Sequence, residues 1–158
     1  MSENPQEIRG VLIAVAGGRL LLPNASVSEV ITFAEPEQVP DAAPWLLGRV
    51  RWHGWRIPVV SFSRMATLPG HQDEGAQLGA KVVVIKALGG NPRMPYFAML
   101  TQGFPRLVTV SRERLIPDTG SDLPLGVLQR VMLNEDAALV PDLDTIEMLV
   151  GKAVQRAA

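Results

Sequence analysis

The chain has 158 residues, of which 47% are hydrophobic and 20% are charged, and it contains no cysteine. Its 15 basic and 16 acidic residues leave a formal net charge of -1. This composition indicates a globular protein of one domain or two small lobes. It excludes a disulfide framework, and it argues against electrostatic attraction to nucleic acid or to an anionic membrane.

The polar segment 1–7 lacks the basic and then apolar pattern of a signal peptide. The longest apolar runs, such as Val82–Ile85, are far shorter than the about 20 residues that cross a bilayer. We therefore expect a cytoplasmic protein without direct membrane insertion.

Short apolar segments separated by glycine, proline and asparagine predict strands along most of the chain. Paired glycines at 17–18 and the His53-Gly54 step are suited to tight hairpin turns. The segments predicted as strands are 10–16, 19–22, the two arms of 46–62 on either side of His53-Gly54, 81–88, 96–102, 107–110, 125–133 and 138–140.

Helices are predicted at a few positions between and after these strands. Ser26 and Glu29 have the spacing of a capping box, which predicts a short helix over Ser26–Thr32. Asp144 and Glu147 repeat that spacing ahead of an apolar helical pattern, which predicts a C-terminal helix. The remaining predictions are a single turn at 111–115, an extended loop at 35–44 and a connection between two lobes at 65–78.

The order of motifs along the chain resembles that of the CheW-like domains of bacterial chemosensory adaptors. A valine–x–glutamate pattern at Val27-Ser28-Glu29 is followed by a proline-containing loop. A proline–x–leucine–x–glycine step at 44–48 and a hairpin ending in Ile57-Pro58-Val59-Val60 come next. Residues 139–144 resemble the closing strand and helix start of the family. No single motif is specific, whereas their order and spacing together are.

The resemblance implies a mainly β fold of two SH3-like five-stranded β-barrel lobes, with a short helix after the first hairpin and a C-terminal helix. It implies a single CheW-like domain at 8–150, with lobes around 20–80 and 81–140 that exchange terminal strands. Residues 1–7 and 151–158 are then tails. It also implies an adaptor without catalysis or cofactor. Such adaptors bind the regulatory domain of a CheA-type histidine kinase and, between the lobes, the cytoplasmic tip of chemoreceptors.

Seven residues match the family positions that we predict to bind partners. They are Val27, Glu29, Val30, Arg51, Trp52, His53 and Gly54. The family hairpin typically reads Asn-x-Arg-Gly, and its arginine is implicated in receptor and kinase contacts. Here arginine and histidine replace the asparagine and the arginine of that turn. We therefore expect a shifted partner preference.

A finer resemblance is to the ChpC-type adaptors of chemosensory systems that control type IV pili and twitching motility. The stretches that carry it are Trp45-Leu46-Leu47-Gly48, Trp52-His53-Gly54, residues 57–62 and residues 102–106.

Several of the predicted partner-binding residues also have an interpretation that needs no partner. Glu29 could cap a helix with Ser26, and Val27 and Val30 could face a barrel core. Of Trp52 and Trp55, which flank the predicted turn, at least one is expected to face the core.

Two hypotheses from other classes of function are a nucleic-acid-binding module and an enzyme. A small β-barrel that binds nucleic acid is the alternative, although the near-neutral charge counts against it. An enzyme would need a nucleophile–base pair or a metal cluster. The two histidines, His53 and His71, are too few and too far apart in the sequence to predict one.

Overall fold

The computed structural model describes residues 7–70, 80–111, 115–118, 123–133 and 136–156. In chain order its strands are β1 (Glu7–Val15), β2 (Gly18–Pro23), β3 (Val27–Thr32), β4 (Leu46–Trp52), β5 (Trp55–Val60), β6 (Lys81–Lys86), β7 (Tyr96–Thr101), β8 (Arg106–Ser111), β9 (Leu115–Asp118), β10 (Val127–Leu133) and β11 (Asp136–Pro141). Its helices are a 3-10 turn at Asn24–Ser26, α1 (Phe62–Met65) and α2 (Leu143–Arg156). Within the described ranges, no helix has the length and apolar character needed to cross a membrane.

These strands form two sheets, one from the ends of the chain and one from its middle. The terminal sheet has the order β8-β1-β2-β11-β10-β9, and the middle sheet has the order β3-β6-β7-β5-β4. The prediction of a mainly β fold with two small SH3-like lobes and a C-terminal helix is confirmed. The two sheets contain six and five strands.

The division of the chain between the sheets differs from the predicted lobes at 20–80 and 81–140. Strands β6 and β7 pair with β3 and β5, so all four belong to the middle sheet. The connection predicted at 65–78 therefore joins two strands of one sheet, and its residues 71–78 lie outside the described part. The single turn predicted at 111–115 also lies mostly outside it, and Leu115 begins β9.

The predicted helix over Ser26–Thr32 is wrong, because all but its first residue form β3. Only the three-residue turn at Asn24–Ser26 is helical after the first hairpin. Strand β3 is rich in β-branched residues, which favour strands, and its backbone pairs with β6 from Val27 to Thr32. A bulge at Ser28 shifts the register between Val27 and Glu29.

Three clusters of buried side chains hold the sheets together. The central core combines residues of both sheets with α1 and α2, among them Ile13, Phe62 and Ile146. A terminal core lies within the terminal sheet around Leu21 and Val131, and a middle core lies within the middle sheet and includes Ile57 and Val84. Strand β3 contributes to two of them because successive side chains point to opposite faces, and the bulge at Ser28 puts Val27 on the same face as Val30. Val27 and Val30 pack on the central core, whereas Ile31 packs on the middle core.

Helix α2 extends beyond the predicted domain end at residue 150. Its residues Ile146 and Val150 are fully buried, and Ala153 and Val154 also pack against the central core. Residues 151–156 are therefore helix and not a tail. The helix is capped by Asp142, whose carboxylate accepts hydrogen bonds from the Thr145 backbone N–H and hydroxyl at 3.2 and 2.7 Å.

Candidate partner-binding site

Three of the seven predicted partner-binding residues meet where the two edge strands of the middle sheet approach each other. The indole N–H of Trp52 donates a hydrogen bond of 2.9 Å to Oε2 of Glu29. His53 Nε2 lies 3.5 Å from the other carboxylate oxygen of Glu29, which makes an ion pair when the imidazole is protonated. We call Glu29, Trp52 and His53 the Glu29 cluster.

Two edge strands bring the Glu29 cluster together. Glu29 lies on β3 and Trp52 ends β4, and these strands are the two edges of the middle sheet. The bulge at Ser28 places Glu29 opposite Val84, on the same face as Ile31. The β4–β5 turn has positive φ at both central residues, +46° at His53 and +80° at Gly54, as a type I′ hairpin requires. The Glu29–Trp52 bond therefore spans the gap between the sheet edges.

The cluster combines an apolar base with an accessible polar rim. The Trp52 ring makes edge contacts with the rings of His53 and Tyr96, with centroids 4.6 and 4.7 Å apart. Trp52 and Tyr96 are half-buried against the middle core. The side chains of His53 and Glu29 are 66% and 44% exposed. A tryptophan held in place beneath polar groups is a frequent arrangement at protein-binding hot spots.

The environment of Glu29 lowers the pKa of its carboxyl below the usual 4.5, chiefly because the Trp52 N–H stabilises the carboxylate. Partial desolvation opposes this effect, and the hydrogen bond and charge of His53 add to it. The stabilisation that this bond gives to the ionised carboxylate is therefore fully present above the usual pKa, and it is lost as the pH falls through the lowered pKa.

Replacing Trp52 with phenylalanine should raise the pKa of Glu29 toward its ordinary value, because the N–H donor is lost. The variant still has an aromatic ring at this position. The pH midpoint of the Glu29 side-chain carboxyl carbon signal in NMR measures the change. Trp55→Phe is the matched control, since Trp55 is 41% exposed on the same hairpin. An unchanged midpoint in Trp52→Phe would show that the indole bond does not hold the carboxylate.

The other four predicted residues do not join the Glu29 cluster. Val27 and Val30 are half-buried against the central core, in agreement with the core-facing interpretation. Arg51 is exposed on β4 opposite Arg56. Gly54 supplies the turn conformation. The capping box predicted for Ser26 and Glu29 has no helix to cap, because Ser26 ends the 3-10 turn and Glu29 lies in β3.

Two further features of this hairpin were not predicted from the sequence. Tyr96, on β7, supports Trp52, and only the pairing of distant strands places it there. Glu37 forms an ion pair with Arg56. Its backbone N–H and C=O also bond those of Arg49, both at 2.8 Å. These bonds attach the proline-containing loop to β4.

The expectation that at least one tryptophan faces the core is confirmed. Trp52 packs on the middle core and Trp45 on the central core, and both are half-buried.

Comparison with known proteins gives two similarities. A model of the CheW-like domain matches residues 9–150. The crystal structure of the scaffolding protein TtCheW from Thermoanaerobacter tengcongensis is similar with a TM-score of 0.74 and 13% sequence identity, over 90% of this chain and 89% of that chain. No curated protein matches the chain. At this identity the structural likeness establishes a shared fold.

Proposed function

The chain belongs to the CheW-like domain family, and from this membership we propose that it is a non-catalytic adaptor that couples chemoreceptors to a CheA-type histidine kinase. The observation that carries the proposal is the family match over residues 9–150. The similar structure is itself described as that of a scaffolding protein. The adaptor acts in the cytoplasm, where the kinase and the receptor tips are found.

The Glu29 cluster is the proposed centre of the partner surface, with Val27, Val30, Arg51 and Gly54 around it. Its support is geometric, because two sheet edges present a carboxylate, an indole and an imidazole together. His53 replaces the arginine typical of the family turn. The histidine side chain is shorter than that of arginine, and its imidazole offers fewer donors than a guanidinium. The cluster therefore recognises a partner that differs from those of adaptors with the usual turn.

The finer assignment is to a chemosensory system that controls type IV pili and twitching motility. It is supported by the resemblance of the segments around Trp45 and Trp52, and of residues 102–106, to ChpC-type adaptors. Deletion of the gene should abolish regulated twitching, and the wild-type chain should restore it. Binding of nucleic acid is not proposed, because the family match favours the adaptor.

Binding to the two partner types tests the function directly. We expect the chain to bind the regulatory domain of a CheA-type kinase from its source organism, and the cytoplasmic hairpin tip of a chemoreceptor, saturably in calorimetry. Glu29→Ala should weaken at least one interaction about tenfold, as expected for the centre of an interface. Glu7→Ala removes an exposed carboxylate from the terminal sheet and should leave both affinities unchanged.

The possible outcomes test the adaptor function and the contact surface separately. No binding to any such kinase or receptor tip would contradict the adaptor function. Binding that Glu29→Ala leaves intact would retain the function and reject the Glu29 cluster as its contact surface.

A further inference from the structure

Three arginines line a second concave site, which the Glu29 cluster does not include. A cavity of about 290 Å³ lies between the β4–β5 hairpin, the 91–94 turn and α2. Its lining residues are Arg49, Arg56, Pro58, Asn91, Arg93, Met94, Gly151 and Val154. We call it the arginine pocket.

The charge of the arginine pocket is only partly neutralised by the protein. Among the described residues no carboxylate lines it, and Glu37 pairs with Arg56 from outside the lining. Within the described residues, no acidic side chain forms an ion pair with Arg49 or Arg93. Arg49 is moreover half-buried, and a partly desolvated guanidinium without a counter-charge costs free energy. The chain as a whole carries a formal charge of -1, so this concentration of cations is local.

The rest of the lining indicates the kind of anion that fits. Pro58, Met94 and Val154 give the arginine pocket an apolar wall beside the guanidinium groups. A carboxylate next to an aliphatic group would satisfy both parts, because guanidinium binds carboxylate in a bidentate manner and the aliphatic group buries apolar surface. The Arg56–Glu37 pair shows that a carboxylate reaches one of these arginines.

The arginine pocket is held in shape by bonds that do not involve its arginine side chains. The backbone of Arg49 is fixed by its two 2.8 Å hydrogen bonds with Glu37. The 91–94 turn is fixed by the bond from Arg93 N–H to the Asn91 side chain, at 3.0 Å, and by the bond from Met94 N–H to the Asn91 carbonyl, at 3.1 Å. A preformed site of this kind loses little conformational entropy when a ligand binds.

We propose that the arginine pocket docks an acidic side chain, next to an aliphatic one, from an exposed segment of a partner protein. This docking site is separate from the Glu29 cluster and does not depend on the proposed adaptor function. Its affinity falls as salt is added, because the attraction is between partly exposed charges.

A short Gly/Ser peptide with a central Glu-Leu-Glu sequence serves as the probe, and its Gln-Leu-Gln analogue is the control ligand. Titration of the labelled protein, followed by NMR, should shift the side-chain Nε–H signals of Arg49 and Arg93 and the Met94 methyl signal. The glutamine analogue should shift none of them. Combined Arg49→Gln and Arg93→Gln replacement should weaken peptide binding about tenfold or more.

Arg51→Gln is the matched protein control. Arg51 lies on the same face of β4 as Arg49, two residues further along, and it does not line the arginine pocket. Its replacement should leave peptide binding unchanged. The single Arg93→Gln variant changes an exposed turn residue and is the test if the double variant fails to fold.

Four results would overturn the proposal. They are equal shifts with the glutamine analogue, equal loss of binding in Arg51→Gln, no shift of the three signals at any peptide concentration, and equally strong binding of inorganic phosphate. The last would assign the arginine pocket to small anions and not to a protein segment.

Discussion

Replacing Phe62 with alanine should lower the free energy of unfolding by about 4 kcal/mol. The ring is fully buried in the central core, where side chains of both sheets and α2 meet. One edge of it lies 3.6 Å from the position that a Cβ atom at Gly126 would occupy, close to Ile146 and Met65. The cavity left by alanine is therefore enclosed by separate elements, which cannot all move inward together.

Urea unfolding followed by circular dichroism measures the effect. The free energy of unfolding of a domain is commonly about 5–15 kcal/mol, so the Phe62→Ala variant should unfold at a much lower urea concentration. Phe104→Ala is the control, because Phe104 is 76% exposed, and we expect it to change stability by less than about 0.5 kcal/mol. Equal losses in the two variants would contradict the central position of Phe62.

Replacing Gly48 with alanine should cost about 3 kcal/mol, from backbone strain and steric overlap together. Gly48 has φ of +144°, a conformation that residues with a Cβ rarely adopt. A Cβ there would lie 2.8 Å from the Cβ of Pro36 and would also contact the carbonyl oxygen of Glu37. The loop would have to move away from β4, which would weaken the two backbone bonds between Glu37 and Arg49.

The contribution of overlap can be separated from that of strain by a second glycine. Gly103 has φ of +103°, and no atom lies within 4 Å of a Cβ built on it. Gly103→Ala should therefore cost only the strain, about 1 kcal/mol. Thermal unfolding of both variants measures the difference. Equal melting temperatures would mean that the proline-containing loop moves away from a Cβ at residue 48 without a further loss of stability.

Local sequence was sufficient to predict the hairpins and the buried strands. The two arms of 46–62 were predicted because His53-Gly54 suits a tight turn between β-branched and aromatic segments, and β4 and β5 occupy those arms. A continuous apolar run such as Val82–Ile85 is typical of a strand buried on both faces, and all four residues are fully or almost fully buried. In both cases the signal lies within a few adjacent residues.

The structure explains why the sequence predicted a helix where β3 lies. Val27 and Val30 have the spacing of neighbours on one helical face, and Ser26 with Glu29 has the spacing of a cap. The bulge at Ser28 produces the same spacing in a strand, because it turns Val27 and Val30 to one face. Only the distant pairing with β6 decides between the two conformations.

The Glu29 cluster was predicted residue by residue but not as a unit. Glu29, Trp52 and His53 were each selected by resemblance, whereas the bond between Glu29 and Trp52 depends on the approach of two sheet edges. The arginine pocket could be predicted only in part from the sequence. Arg49 and Arg56 are close together in the sequence, whereas Arg93 joins them only through the tertiary fold.

The terminal sheet combines strands from both ends of the chain, and this arrangement has a consequence for biosynthesis. Strand β2 leaves the ribosome early, whereas its neighbour β11, which meets it where Leu20 pairs with Leu139, is made near the end of translation. The middle sheet can complete its pairing while the β1–β2 hairpin still exposes Leu12 and Leu21, which pack against Val131 and Ala138 of β10 and β11 in the finished fold. The nascent chain therefore has an unpaired, apolar strand edge throughout elongation, and this edge is where chaperones would bind and where premature termination would lead to aggregation.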